Sequence, residues 1–92
     1  MDAAIIFTGT QFIITNKNDY DWTNVKMEIN SGIIRSGYVL RANRIAAGRT
    51  YTVGASQFAK SDGERFNPFS HKLMNVTITC DDWGFYYGEW GQ

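Results

Sequence analysis

The sequence predicts an all-β fold, an antiparallel two-sheet β-sandwich of about seven short strands. Three observations lead there. Apolar and polar residues alternate with period two in several short segments, as half-buried strands require. Turn-forming Gly, Asn, Asp and Ser separate those segments at short intervals. Helical periodicity beyond one or two turns is absent from the 92 residues.

Residues 4–7 form a short apolar run closed by Thr8-Gly9-Thr10. Residues 11–15 are rich in β-branched side chains, with Phe12 and Ile14 on one face. Asn16-Lys17-Asn18-Asp19-Tyr20-Asp21 ends that strand, because Asn and Asp bond their own backbone and favour turns. Val25, Met27 and Ile29 then alternate with Asn24, Lys26 and Glu28, the clearest half-buried strand. Continuing that alternation backwards puts Trp22 on the polar face. Asn30-Ser31-Gly32 breaks the pattern. Residues 37–41 set Tyr38 and Leu40 against Val39 and Arg41, and Ala46-Ala47-Gly48 turns the chain into a strand over 50–53.

Residues 54–72 read as one long connection, with a single helical turn over 56–60 and a tight turn at Asp62-Gly63. Phe58, Phe66 and Phe69 are expected to pin it to the core. Residues 74–80 and the aromatic stretch Trp83-Gly84-Phe85-Tyr86-Tyr87-Gly88-Glu89-Trp90 complete the set. A five-stranded oligonucleotide-binding barrel is the alternative, but it usually carries a helix between its third and fourth strands, and none is evident.

The length fits a single domain, residues 1–92. Nine basic and nine acidic residues balance, so nothing favours nucleic acid or anionic lipid at long range. Arg35, Arg41, Arg44 and Arg49 lie in a stretch without acidic residues, whereas Asp81, Asp82 and Glu89 crowd the end; the two regions are expected to pair. Cys80 is the sole cysteine, which rules out an intramolecular disulfide, and it reads as a small buried hydrophobe sharing a face with Val76 and Ile78. No signal peptide or membrane-spanning run is visible, and no membrane insertion of this domain is expected. The compartment stays open between the cytoplasm and a place outside it, the latter if the domain was cut from a longer chain.

No catalytic or metal motif appears, and neither cofactor nor enzymatic activity is expected. Asn16, Asn18, Asp19 and Asp21 supply hard oxygen atoms in one turn but lack the glycine and terminal glutamate of an EF-hand loop. The aspartates lie in turns rather than around a cleft where a glycosidase pair would work. His71 reads as a loop residue, and Asn75-Val76-Thr77 as a strand start rather than a glycosylation site.

The strand ending in Thr15-Asn16, the acidic turn after it, and Asp21-Trp22-Thr23-Asn24-Val25-Lys26-Met27-Glu28-Ile29 resemble small immunoglobulin-like modules of bacterial envelope proteins. Ile45-Ala46-Ala47-Gly48-Arg49-Thr50-Tyr51-Thr52-Val53 is similar to the turn-glycine element of those modules. The resemblance spans roughly the middle half of the chain. It implies an immunoglobulin-like, non-enzymatic module, placed outside the cytoplasm if it belongs to an envelope protein. The chain differs from antibody-type domains in its single cysteine and in Ile78, which stands where a tyrosine corner would place Tyr.

In the last strand one row reads Trp83, Phe85, Tyr87 and the other Gly84, Tyr86, Gly88, Trp90. Only one row can enter the core; the other meets solvent, a protein or a ligand. The expected function is a non-catalytic interaction or assembly module that engages a protein partner or self-associates. The alternative is carbohydrate binding through exposed rings. Tyr20, Trp22, Tyr86 and Trp90 are the candidate ligand-binding residues.

Overall fold

The computed structural model describes residues 1–32, 36–81 and 84–90. Its elements run β1 (Ala3–Phe7), β2 (Gln11–Asn16), β3 (Trp22–Ile29), β4 (Tyr38–Ile45), β5 (Thr50–Gly54), a 3-10 turn (Ala55–Gln57), β6 (Asn75–Thr79) and β7 (Phe85–Glu89). Three strands form one sheet in the order β1-β2-β5, and four form the other in the order β4-β3-β6-β7. Every pairing is antiparallel. The two-sheet sandwich expected from the alternation is the architecture observed. The chain makes a hairpin in the first sheet, crosses for the β3–β4 hairpin, returns for β5, and crosses again for β6–β7.

The core lies between the sheets. β2 gives it Phe12 and Ile14; β3 gives Trp22, Val25, Met27 and Ile29; β6 gives Val76 and Ile78, all essentially without solvent exposure. Phe12 bridges to the connection through Phe58, with ring centroids 5.3 Å apart. Burying side chains of this size contributes roughly 1.5–3 kcal/mol each.

Trp22 corrects the expectation of a polar-side ring: it is fully buried. The reason is local. Asn24 adopts a left-handed backbone (φ 49°), and the β3–β4 register runs from Thr23↔Arg44 to Val25↔Ala42 without pairing the residues between. One left-handed residue interrupts the pleat, so Trp22 and Val25, three apart, both face inward. Asn tolerates this conformation better than other residues with a Cβ. Its Nδ2 also donates to Asp81 Oδ2 at 2.6 Å, tying β3 to the end of β6. Asn24→Gly and Asn24→Ala both lose that bond, but only alanine adds left-handed strain. Thermal unfolding is expected to rank glycine the more stable of the two by about 1 kcal/mol.

β4 continues to Ile45, beyond the expected 37–41, because residues 42–45 follow β3 to the Trp22↔Ile45 pair. The turn into β5 is clamped by Asp21, whose carboxylate accepts from Ala47 N–H at 2.9 Å and from Arg44 Nε at 2.8 Å. The Ala47 N–H, with the Arg44 guanidinium, holds the Asp21 carboxyl below its usual pKa despite the opposing desolvation. Among the described residues Arg44 pairs with Asp21 rather than with the acidic C-terminal end, and Asp81 is bonded by Thr23 and Asn24. Arg35 and Asp82 lie outside the described residues.

The long connection is more ordered than its composition suggested. The helical turn sits at Ala55–Gln57 rather than 56–60, because Phe58 turns extended and enters the core. Ala59 then exchanges two backbone bonds with Val39 and covers the outer edge of β4. Phe66 is buried as expected, but Phe69 is 84% exposed. Asn67 explains the difference: its side chain caps Phe69 N–H and its carbonyl accepts from Ser70 and His71, making a tight turn that lifts Phe69 to the tip.

Candidate functional site

Two surfaces hold the side chains that are candidates for function. The first is β7. Its inward row is Tyr86 and Trp90, both partly buried and packed against the core. The glycines on that row explain the choice. A Cβ on Gly88 would meet the Trp90 ring and the Tyr86 hydroxyl, so the missing side chain is the space those rings fill. Gly84 is covered likewise by Cys80 and Met1. Bare backbone alternating with large aromatics packs inward, and Phe85 (58% exposed) and Tyr87 (49%) are left outside.

Of the four candidate residues, three are placed away from the outer surface. Trp22 lies in the core with its Nε1–H donating to Asn18 Oδ1 at 3.0 Å, and Tyr86 and Trp90 lie on the inner row. Tyr20 is exposed on the β2–β3 turn. The four do not form one flat ring platform. Trp83 lies outside the described residues.

The outer face of the four-stranded sheet follows from the registers. One row reads Phe85, Thr79, Lys26, Arg41; the next reads Tyr87, Thr77, Glu28, Val39. Lys26 and Glu28 pair loosely at 3.9 Å, and the Tyr87 hydroxyl donates to Glu89 at 3.3 Å. β7 is the edge of this sheet, and its far side meets no strand among the described residues. Glu89 is its single charged residue. Edge strands are commonly protected by lysine, proline or a cover. β4 has a cover in Ala59; among the described residues β7 has none of these devices.

The second surface is a cavity of about 270 Å³ where β3 ends and β4 and β6 begin, lined by Asn30, Ser36, Tyr38, Lys60, Ser70, His71, Lys72 and Met74. Tyr38 is its anchor. Its hydroxyl donates to Glu64 Oε2 at 2.8 Å, and Lys60 Nζ sits 5.0 Å from its ring centroid. The bond to Glu64, then burial, raises the Tyr38 phenol above its usual pKa. His71 Nδ1 accepts from Asn67 N–H at 3.0 Å, which leaves the Nε2 side directed at Glu64, 3.9 Å away. Sequence reasoning missed this cavity because its residues are scattered from 30 to 74 and carry no local pattern.

The oxygen-rich turn at 16–21 is spent on the protein itself. Asn16 and Asn18 bond the turn, β4 and Trp22, and Asp21 holds Arg44 and Ala47. Among the described residues no three His, Cys, Asp or Glu side chains gather as a metal site. No helix among the described residues is long and apolar enough to cross a membrane. Comparison with protein-family models, curated proteins and solved structures returns no match.

Proposed function

We propose that this chain is a non-catalytic assembly module of immunoglobulin-like build, which joins a second copy of itself along the open edge of β7. The observation that carries the reading is the pair Phe85 and Tyr87, exposed side by side on an edge strand that no other strand covers among the described residues. Exposed aromatics are enriched where proteins meet, and an edge strand offers ready-made backbone bonds. The hairpin–cross–hairpin succession agrees with an immunoglobulin-like sandwich, with the fourth strand on the sheet of β3, β6 and β7 rather than with β1, β2 and β5.

A second copy fits through antiparallel pairing about Tyr86. That register sets Phe85 of each copy opposite Tyr87 of the other, giving two cross-strand aromatic pairs worth roughly 0.2–1 kcal/mol each. Gly84 and Gly88 then face one another, and the Glu89 carboxylates stay apart. A register centred on Tyr87 would oppose Phe85 and Glu89 instead. One strand pair buries less than the ~1,200–2,000 Å² of a stable complex, so the dimer is weak.

Sedimentation from micromolar to near-millimolar concentration reads this directly. The wild-type mass should climb towards the dimer, while Tyr87→Lys stays monomeric with an unchanged melting temperature. A wild type that remains monomeric overturns the proposal. So does a monomer whose fluorescence saturates with a soluble polysaccharide and loses that response in Phe85→Ala, which would make the aromatic pair a sugar platform.

A further inference from the structure

We propose that the cavity between the ends of β3, β4 and β6 binds a phosphate group carried by a small molecule or a lipid headgroup. Two lysines, Lys60 and Lys72, line one concave space. Neither is paired with a carboxylate among the described residues, whose ion pairs are Lys26–Glu28, Arg44–Asp21 and His71–Glu64. Like charges sharing a partly enclosed space repel each other, and an anion between them converts that repulsion into attraction.

The phosphate assignment rests on charge and donor count. A phosphate monoester carries about −1.5 to −2 at neutral pH and presents three strong acceptor oxygens. Two lysines match that charge, and the Ser36 and Ser70 hydroxyls on the same lining add donors. A carboxylate would balance only one ammonium. The site is also partly ordered in advance. The Tyr38 ring holds Lys60, and the Asn67 turn fixes Ser70 and His71 through their backbone N–H groups. Glu64 and Asp62, the opposing charges felt at Tyr38, do not line the cavity; Glu64 accepts from the Tyr38 hydroxyl and sits beside His71.

The volume of about 270 Å³ falls just under the ~300–1,000 Å³ of pockets that enclose drug-sized ligands. It leaves room for a small substituent against the Tyr38 ring and Met74. Phe69, 84% exposed and next in sequence to Ser70, stands on the same turn. If the phosphate belongs to a lipid, this ring is placed to enter the headgroup boundary.

Titration with inorganic phosphate and methyl phosphate, followed by backbone amide shifts, tests the site, with acetate as control. Alongside it, the domain is co-sedimented with phosphatidylcholine vesicles, with and without phosphatidic acid. Saturable shifts at Ser36, Ser70 and His71, weakened about tenfold by Lys60→Gln or Lys72→Gln at unchanged melting temperature, establish a site for soluble phosphates. Binding confined to phosphatidic acid vesicles, weakened by the same substitutions and by Phe69→Ser, establishes the lipid as the source. The proposal fails if neither probe binds, if acetate binds as tightly as phosphate, or if the double lysine variant binds like wild type.

Discussion

Trp22→Ala is expected to lower stability by about 3–5 kcal/mol, enough to unfold much of the population in a domain of this size. The ring has no solvent exposure, so truncation removes its transfer free energy and leaves a cavity between the sheets. It also frees Asn18 Oδ1 from the indole N–H, leaving that oxygen the Asp2 backbone N–H. Trp22→Phe separates the two effects. It keeps most of the packing and loses the bond, so its cost should be about 1–2 kcal/mol. Denaturant unfolding measures both. A tryptophan serving as an exposed sugar platform would leave stability unchanged in either variant, so a flat result would contradict the packing described here.

Asn16→Leu should cost about 2–5 kcal/mol, although leucine has the same branched heavy-atom skeleton and is more apolar. Asn16 is the buried polar residue of the core among the described residues. Its Nδ2 donates to the Tyr20 and Ile45 carbonyls at 2.9 and 3.0 Å, and its Oδ1 accepts from Asn18 N–H at 2.9 Å. One side chain thus joins the end of β2, the acidic turn and the end of β4. Leucine leaves all three backbone groups without that partner, and an unsatisfied buried group costs about 1–3 kcal/mol.

Asn16→Asp gives a second test through pH. A carboxylate there is buried and faces two carbonyls, so its pKa in the folded state is raised. The folded variant therefore holds its proton more tightly, and its stability relative to wild type falls as pH rises above about 4. Asp21 in the wild type has the opposite sign. Its lowered pKa contributes stability that is present above the unfolded value and is lost as pH falls through the folded one.

The strands were legible because alternation is a direct consequence of the pleat. Residues 24–29 announced β3, and the Asx-rich turns announced its neighbours. The wrong face for Trp22 has one cause: alternation propagates only through extended residues, and Asn24 is left-handed. An Asn within a strand pattern was the available signal. The inner row of β7 was also readable in principle, since Gly84 and Gly88 mark where neighbouring side chains close onto the backbone, Cys80 and Met1 at the first and the Tyr86 and Trp90 rings at the second. Phe69 looked like a core residue by composition, and only the turn built on Asn67 lifts it out. The Lys60–Lys72 cavity had no such signal, because it depends on the connection folding back along β4.

Amide hydrogen exchange across β7, compared between dilute and concentrated protein, tests the assembly reading most directly. Pairing through this edge predicts that amides within Phe85–Glu89 gain protection as concentration rises, while those of β5, the edge of the other sheet, stay unchanged. Protection of β7 that is the same at every concentration, or a gain confined to β1 or β5, would contradict it.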